Sequence, residues 1–461
     1  MSRIELDDRK GTALWLAGVG LVYLALSASY AFLTPPWETP DEPAHYLYTR
    51  RLAQTWRPPE RPQQFELGNP KLNHEYVWYQ PALGYAPGAL AYALIERVAP
   101  QRLPAVIPPV RARGQPPSPY VFELSDPRIG RVWDGIEGIL GLRLLSSLWG
   151  LAVIGAAYRI GACLHRESRT LGIAAATAVA LLPQFLFINA SIRSDTVANA
   201  AAAWLLALSV SYVVAAPSSE PKRRQALQMG AWLGLGLLMK YTFIYMAATP
   251  AMAILLADRR SARLWIRSLA TLAIPAGAIV GTYYAAFPQA REALGVLFGD
   301  YLPVGAEPEI LSSWSRWLRV TFVESFYGRF GWNSVIGIPL RISMPCFAAW
   351  LGGALLTVVQ VLRLQRRSIK SAERNGILVL GISLVVAAVA VLRLNLAELQ
   401  PQGRYLFPVL SAWAVFGCWG LWQSLQPRGR ILTGFAVAMG LLVMNLYGLM
   451  VRLVPTYYPA R

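Results

Sequence analysis

Apolar residues in this chain come in long, nearly unbroken runs instead of the three-to-four-residue spacing of a helix lying on a soluble core. A helix needs about 20 such residues to cross the hydrocarbon layer of a bilayer. Hydropathy windows predict spans at about 12–33, 138–162, 171–188, 197–216, 265–286, 340–362, 375–393, 405–423 and 431–453. The first run, Thr12 to Leu33, is too long for a signal-peptide core and lacks a small-residue cleavage site, so it reads as a retained span.

The short links carry the polar half of the pattern. Arg166 and Arg169; Lys222, Arg223 and Arg224; Arg259, Arg260, Arg263 and Arg267; Arg363, Arg366, Arg367, Lys370 and Arg374; and Arg428 and Arg430 form five basic links. Basic short loops stay on the cytoplasmic side. Residues 229–257 form one apolar run interrupted at Lys240-Tyr241-Thr242, yet both flanks are basic. A single helix would put one flank on the wrong side, so two short helices are expected with Lys240 at the outer tip. The tally is about 11 spans, N-terminus cytoplasmic and C-terminus outside, in one all-α integral-membrane domain over 1–461.

Two outer segments exceed the length of mere connectors. Residues 34–137 make the first outer loop, in which the apolar stretch Pro81 to Val98 reads as a half-inserted or surface-lying helix, since another full span would invert every later loop. Residues 287–339 make the second. There Trp314, Leu318, Thr321, Phe322, Ser325 and Phe326 recur at helical spacing beside Arg316, Arg319 and Arg329, the pattern of an interfacial amphipathic helix. Pro100 to Pro119 reads as an irregular linker.

Composition agrees with a lipid solvent. Of 461 residues, 55% are hydrophobic and 15% charged, and the net charge is +18, which excludes a lone soluble domain, a disordered tail and a disulfide scaffold. The cations sit between spans, so the charge does not point to nucleic acid. Cys163, Cys346 and Cys418 lie inside apolar stretches with no neighbour at ligand or redox spacing.

Candidate chemistry begins just past the first span, in Trp37-Glu38-Thr39-Pro40-Asp41-Glu42-Pro43-Ala44-His45-Tyr46. Carboxylates beside a bilayer must be paired or neutralised. Asp41 and Glu42 read either as a general base with its helper or as first-turn acids of a helix capped by Thr39. Outer cations surround them: Arg50, Arg51, Arg57, Arg61, Lys71, Arg97, Arg102, Arg111, Arg113, Arg128 and Arg131 in the first loop, Arg193 in the second outer turn, Lys240, and Arg404 in Gln402-Gly403-Arg404-Tyr405. Such an excess suits an anionic lipid, through charge-assisted bonds to phosphate or general attraction to head groups. The turn Asn189 to Thr196 adds Arg193 and Asp195, the latter as a site residue or a helix cap. A divalent metal finds only weak support in His45 with Asp41 and Glu42, or His74 beside Glu75. No phosphate-cradling glycine loop or nucleotide fingerprint is present in the sequence.

These segments, in this order, resemble the GT-C fold integral-membrane glycosyltransferases that use polyprenyl-phosphate-linked sugars. Thr39 to Tyr46 resembles the Asp-Glu motif of protein O-mannosyltransferases. Tyr79-Gln80-Pro81-Ala82-Leu83-Gly84-Tyr85 resembles their Pro-Pro-Leu-Tyr segment, Arg143 to Gly150 the Arg-Leu start of the next span, and Met239-Lys240-Tyr241-Thr242 a Lys-Tyr-Thr hairpin tip. Ser325 to Trp332 and Gln402 to Pro408 are similar to segments of an uncharacterised branch of predicted bacterial membrane proteins. Ala82 replaces the family's second proline, and the insert 100–134 has no counterpart. The resemblance implies Asp41 as base toward an acceptor hydroxyl, with Lys240 and Arg404 near the donor phosphate.

The expectation is therefore an inverting sugar transfer from a polyprenyl-phosphate donor to a glycan, lipid or protein acceptor on the outer face of the bacterial cytoplasmic membrane. In it Asp41, Glu42 and Asp195 are catalytic, Lys240, Arg404 and Arg193 bind phosphate, and His45, Tyr79, Gln402 and Tyr405 bind substrate. A flippase or exporter of lipid-linked saccharides or other anionic lipids would use the same cations without a base. The feature separating the two is whether Asp41, Asp195, Lys240 and Arg404 share one site.

Overall fold

The computed structural model describes residues 9–61, 77–104, 107, 135–165, 169–215, 219–258, 261–300, 314–332, 336–363, 371–397 and 399–459. Its helices begin with α1 (Arg9–Leu33), α2 (Glu42–Thr55), α3 (Ala86–Val98), α4 (Ile136–Leu164), α5 (Thr170–Ala180), α6 (Pro183–Asn189), α7 (Asp195–Val214), α8 (Ser219–Leu237), α9 (Ala248–Asp258) and α10 (Ala262–Ala286). Long helices follow at Leu340–Arg363, Ser371–Ala397, Leu410–Ser424 and Pro427–Leu446. Among the described residues 9 helices are long and apolar enough to cross a membrane, or up to 10 if α5 and α6 are one bent span, so the expected eleven is not reached. The difference lies in α8, whose first turns carry Lys222, Arg223 and Arg224.

Lipid cannot satisfy a broken backbone, so breaks need protein partners. At Pro183 the α5–α6 pair bends by 63°. Asn445 Nδ2 donates to the Leu181 carbonyl there (2.8 Å) and its Oδ1 accepts from Tyr30 (3.2 Å). The chain reverses at Lys240 as the charges of its flanks demand: Lys222, near the start of α8, reaches Asp258 at the end of α9 (3.1 Å). Tyr212 and Ser268 also donate to Asp258 (2.8 and 3.0 Å). Trp422 bonds Thr170 (2.9 Å) and Trp419 bonds Glu373 (2.9 Å). These contacts gather the described ends of the basic links at the end of the bundle opposite Lys240.

At the other end, α2 and α3 pack on each other and on α4. Leu90, Leu94 and Val98 are left as an exposed apolar stripe on α3. The segment expected as an interfacial helix is a short helix (Trp314–Arg319), a π turn (Val320–Glu324) and a last helical turn (Ser325–Gly328). Only its start is exposed. Phe326 packs on Trp413 (5.0 Å between rings) and Phe407 (5.9 Å), because the π turn rotates that end into the core. A two-stranded antiparallel ribbon follows, pairing Arg329 with Gly337 and Phe330 with Ile336. Residues 108–134, and with them Arg111, Arg113, Arg128 and Arg131, lie outside the described residues, as do Lys71, His74 and Glu75.

α4 crosses α5 where Gly161 faces Gly172. A Cβ on Gly161 would meet the Gly172 Cα at 2.6 Å and its N at 2.7 Å. Backbone against backbone leaves no side chain to yield, and overpacking costs about 1–3 kcal/mol. Gly161→Val should therefore lower the thermal unfolding midpoint in detergent, and an unchanged midpoint would show that the two helices can separate freely.

Candidate functional site

The site grows from the loop between α1 and α2. Trp37 (φ 72°) and Asp41 (φ 64°) both hold left-handed backbone conformations, unfavourable for non-glycine residues. What over-determines them is a buried ion pair. Arg143 donates Nε and Nη2 to the two Glu42 oxygens (2.7 and 2.6 Å), Nη1 to the carbonyls of Ala31 (2.8 Å) and Thr34 (2.6 Å), and Nη2 to that of Pro35 (3.0 Å). Glu42 also accepts from the backbone N–H of Trp37 (3.1 Å) and Ile192 (3.2 Å). The sequence reading makes Glu42 a catalytic helper of Asp41, but its carboxylate is wholly buried and engaged by protein donors. Arg143 was passed over as a site residue. Its signal was a charge about two turns into an apolar span, which must have a partner.

Asp41 occupies the N-cap position of α2, yet its side chain does not cap the helix. It turns instead to Arg404, whose Nη2 donates to Oδ2 at 2.7 Å. The expected Thr39 cap is likewise not formed, and the Thr39 hydroxyl is buried without a hydrogen-bond partner among the described residues. Asp195 starts α7 and forms an ion pair with Lys240 at the reversal tip, so it too serves a charge and not a cap. Gly84 permits that approach: a Cβ there would meet the Met239 carbonyl at 2.6 Å and the Ser194 Cβ at 2.8 Å. Leu83 N–H bonds the Leu238 carbonyl beside it (3.0 Å).

Arg193 points back at the same loop, bonding the Pro40 carbonyl and Ser191 Oγ (2.7 Å). Burial lowers its pKa, and the neighbouring Arg404 charge lowers it further. Arg193 Nη1, Arg404 Nε and Arg404 Nη1 are buried and have no hydrogen-bond partner among the described residues. His45 lies on α2 with Nδ1 2.7 Å from the Tyr85 hydroxyl. Burial first, and Arg193 second, push its pKa down to about 3, while Asp195 and Asp41 pull the other way. The structure thus brings Asp41, Asp195, Lys240, Arg193, Arg404 and His45 into one site. Tyr405 holds its ring 5.4 Å from the Arg404 guanidinium. Tyr79 packs with Trp78, Ala293 and Tyr241, and Gln402 turns the chain into the helical segment carrying Arg404, its carbonyl accepting from Tyr405 N–H (3.3 Å).

Two further cations of the segments expected on the outer side are engaged elsewhere: Arg61 pairs with Glu292 (3.7 Å), and Arg319 with Glu324 (3.0 Å). Among the described residues no three His, Cys, Asp or Glu side chains converge on a metal position. A narrow crevice of about 20 Å³ lies between α3 and α4, where Tyr85, Leu142, Leu145 and Trp149 meet the polar side chains of Thr49, Ser146 and Arg193.

Two measurements probe this geometry. Removing one partner of a buried pair leaves the other charge stranded at a cost of about 3–5 kcal/mol, so Arg143→Met should lower the unfolding midpoint sharply; a loss near zero would show that the pair does not hold the loop. His45 is kept neutral by the fold, so its contribution to stability is intact above its ordinary pKa of 6.5 and is lost as pH falls from there toward about 3. His45→Gln should lose less stability than the wild type between about pH 7 and pH 5, and equal losses would show that His45 is not held neutral.

No curated protein matches the chain. Solved structures do. ArnT from Cupriavidus metallidurans bound to undecaprenyl phosphate has a TM-score of 0.52 at 16% identity, over 93% of this chain and 64% of that one; its apo state has a TM-score of 0.56 over 93% and 63%. The archaeal oligosaccharyltransferase AglB from Archaeoglobus fulgidus, in complex with an inhibitory peptide and a dolichol-phosphate, has a TM-score of 0.51 at 12% identity, over 97% and 56%. The chain thus spans less than two thirds of the length of these neighbours. Their likeness gives it the GT-C fold of membrane glycosyltransferases. The model of the family described as predicted membrane protein (DUF2142) matches residues 136–412, and to that family this multi-pass membrane chain belongs.

Proposed function

We propose that the protein transfers a sugar from a polyprenyl-phosphate-linked donor to an acceptor hydroxyl at the non-cytoplasmic face of a cytoplasmic membrane. The observation that carries this reading is Asp41, held in a left-handed conformation and presented beside Arg404, Arg193 and the Asp195–Lys240 pair. Structural neighbours captured with undecaprenyl phosphate and with dolichol-phosphate support a lipid-phosphate donor. The basic links at the far end of the bundle support a cytoplasmic placement for that end.

In this reading the Asp41 carboxylate accepts the acceptor O–H proton as the acceptor oxygen attacks the anomeric carbon. The bond from that carbon to the phosphate oxygen breaks, and its electron pair leaves with the lipid phosphate. A single displacement of this kind inverts the anomeric centre. Arg193, Arg404 and Lys240 stabilise the charge growing on the leaving phosphate. Asp195 keeps Lys240 in place, and Glu42 acts through Arg143 as a positioning residue. His45, Tyr79, Gln402 and Tyr405 line the approach of the sugar or acceptor, which is a glycan, lipid or protein. A flippase would need the cations but no positioned base, so Asp41 separates the two readings.

The test incubates the full chain in lipid nanodiscs with a panel of radiolabelled polyprenyl-phosphate sugars and membrane acceptors. Asp41→Asn should cut transfer by about 100-fold or more in a variant that still unfolds cooperatively, whereas full activity in that variant would overturn the mechanism.

A further inference from the structure

A helical turn opens on backbone N–H groups that have no partner inside it, and a side-chain oxygen commonly accepts from one of them. Arg404 lies in the first turn of the short helical segment Gly403–Val409, and Gln402, the residue before it, makes no side-chain cap. The oxygen that meets the first N–H comes from a distant segment: Ser325 Oγ accepts from Gly403 N–H at 2.7 Å. Its own proton lies between the carbonyls of Pro401 (3.2 Å) and Thr321 (3.4 Å). Ser325 thus holds the chain on both sides of Gln402. It is only 3% exposed, so water does not stand in for it.

Two features of the chain make this contact. An inserted residue turns everything after it by about 100° around a helix axis, so without the π turn at Val320–Glu324 the Ser325 hydroxyl would swing away from Gly403. Glu324, the last residue of that turn, pairs with Arg319 (3.0 Å) and Arg329. Gly403 supplies the second feature, because a Cβ there would meet the Phe326 Cα at 2.5 Å and its N at 2.6 Å. Further along, Asn395 Oδ1 accepts from Gln400 N–H (2.9 Å) and the Tyr245 hydroxyl meets the Tyr405 carbonyl (3.4 Å). Neither reaches the N–H that opens the turn. One residue beyond that N–H stands Arg404, whose Nη2 donates to Asp41 (2.7 Å) and whose Nε and Nη1 are buried without a hydrogen-bond partner among the described residues.

We propose that Ser325 is a positioning residue for sugar transfer: it caps the Arg404 turn from a distant segment and so keeps the guanidinium in place for the donor phosphate. This rests on the transferase reading above and extends the machinery to the segment Val320–Gly328. Ser325 acts through Arg404. With the cap gone the turn frays, the guanidinium is in place for only a fraction of the time, and apparent donor affinity falls by that fraction.

The test measures affinity for undecaprenyl phosphate with the full chain in nanodiscs, for the wild type, Ser325→Ala, Arg404→Gln and the double variant. Ser325→Ala should bind about five- to tenfold more weakly, and in the Arg404→Gln background the same change should alter affinity by less than about twofold. Ser383→Ala removes another buried hydroxyl, bonded to Thr249 (2.8 Å) in the middle of the helix Ser371–Ala397, and should bind within about twofold of the wild type. Wild-type affinity in Ser325→Ala overturns the proposal. So does a loss that persists without Arg404, or one that Ser383→Ala reproduces, because either would report general destabilisation. Hydrogen exchange supplies a readout that needs no variant: undecaprenyl phosphate should slow amide exchange in residues 400–409 and 320–328 of the wild type together, and protection of the first stretch alone overturns the link. A wild type that binds no undecaprenyl phosphate overturns the lipid-phosphate donor and the role of Ser325 with it, whereas donor binding and sugar transfer that ignore Ser325 overturn the positioning role alone.

Discussion

The Arg143–Glu42 pair is the interaction on which the site depends. Two full charges lie in a place that water does not reach, where burial is tolerable only if every lone pair and proton is matched. Arg143 spends its donors on Glu42 and on three carbonyls of the α1 exit, and Glu42 spends its remaining capacity on the N–H groups of Trp37 and Ile192. One side chain from the second span thereby fixes the end of the first, the loop after it, the first turn of α2 and the turn before α7. Left-handed conformations at Trp37 and Asp41, each disfavoured alone, are held by that network.

Around this fixed loop the remaining charges form a chain of shared partners. Asp41 meets Arg404, Asp195 meets Lys240, and Arg193 bonds the carbonyl of Pro40, next to Asp41. Elements far apart in sequence supply them: the α1–α2 loop, the turn before α7, the reversal tip after α8 and the segment that opens Leu410–Ser424. The membrane helices hold these elements at one end while the basic links stay at the other. A carboxylate and a set of cations with unspent donors on the same face is an arrangement suited to the proposed departure of a lipid phosphate.

Much of this was legible in the sequence, because the strongest signals were long and simple. Apolar run length located the spans to within a few residues, and the conflict between two basic flanks predicted the reversal at Lys240 that the Lys222–Asp258 pair closes. Asp41, Asp195, Lys240, Arg193 and Arg404 could be picked out as ionisable residues at membrane boundaries. Partners could not be read off. That Asp41 turns to Arg404 instead of capping α2, and that Glu42 is consumed by Arg143, are set by packing between distant segments, which local pattern does not encode. The π turn at Val320–Glu324 was hidden for the same kind of reason: helical spacing continues through it while the face it buries rotates. The span count differed where charge diluted apolarity in the first turns of α8.

The most direct measurement is a cryo-electron microscopy structure of the full chain in a nanodisc containing undecaprenyl phosphate. The account predicts phosphate density contacting both Arg193 and Arg404 at the end of the bundle that carries Asp41. Lipid phosphate bound only at the opposite, basic-link end of the bundle would contradict it.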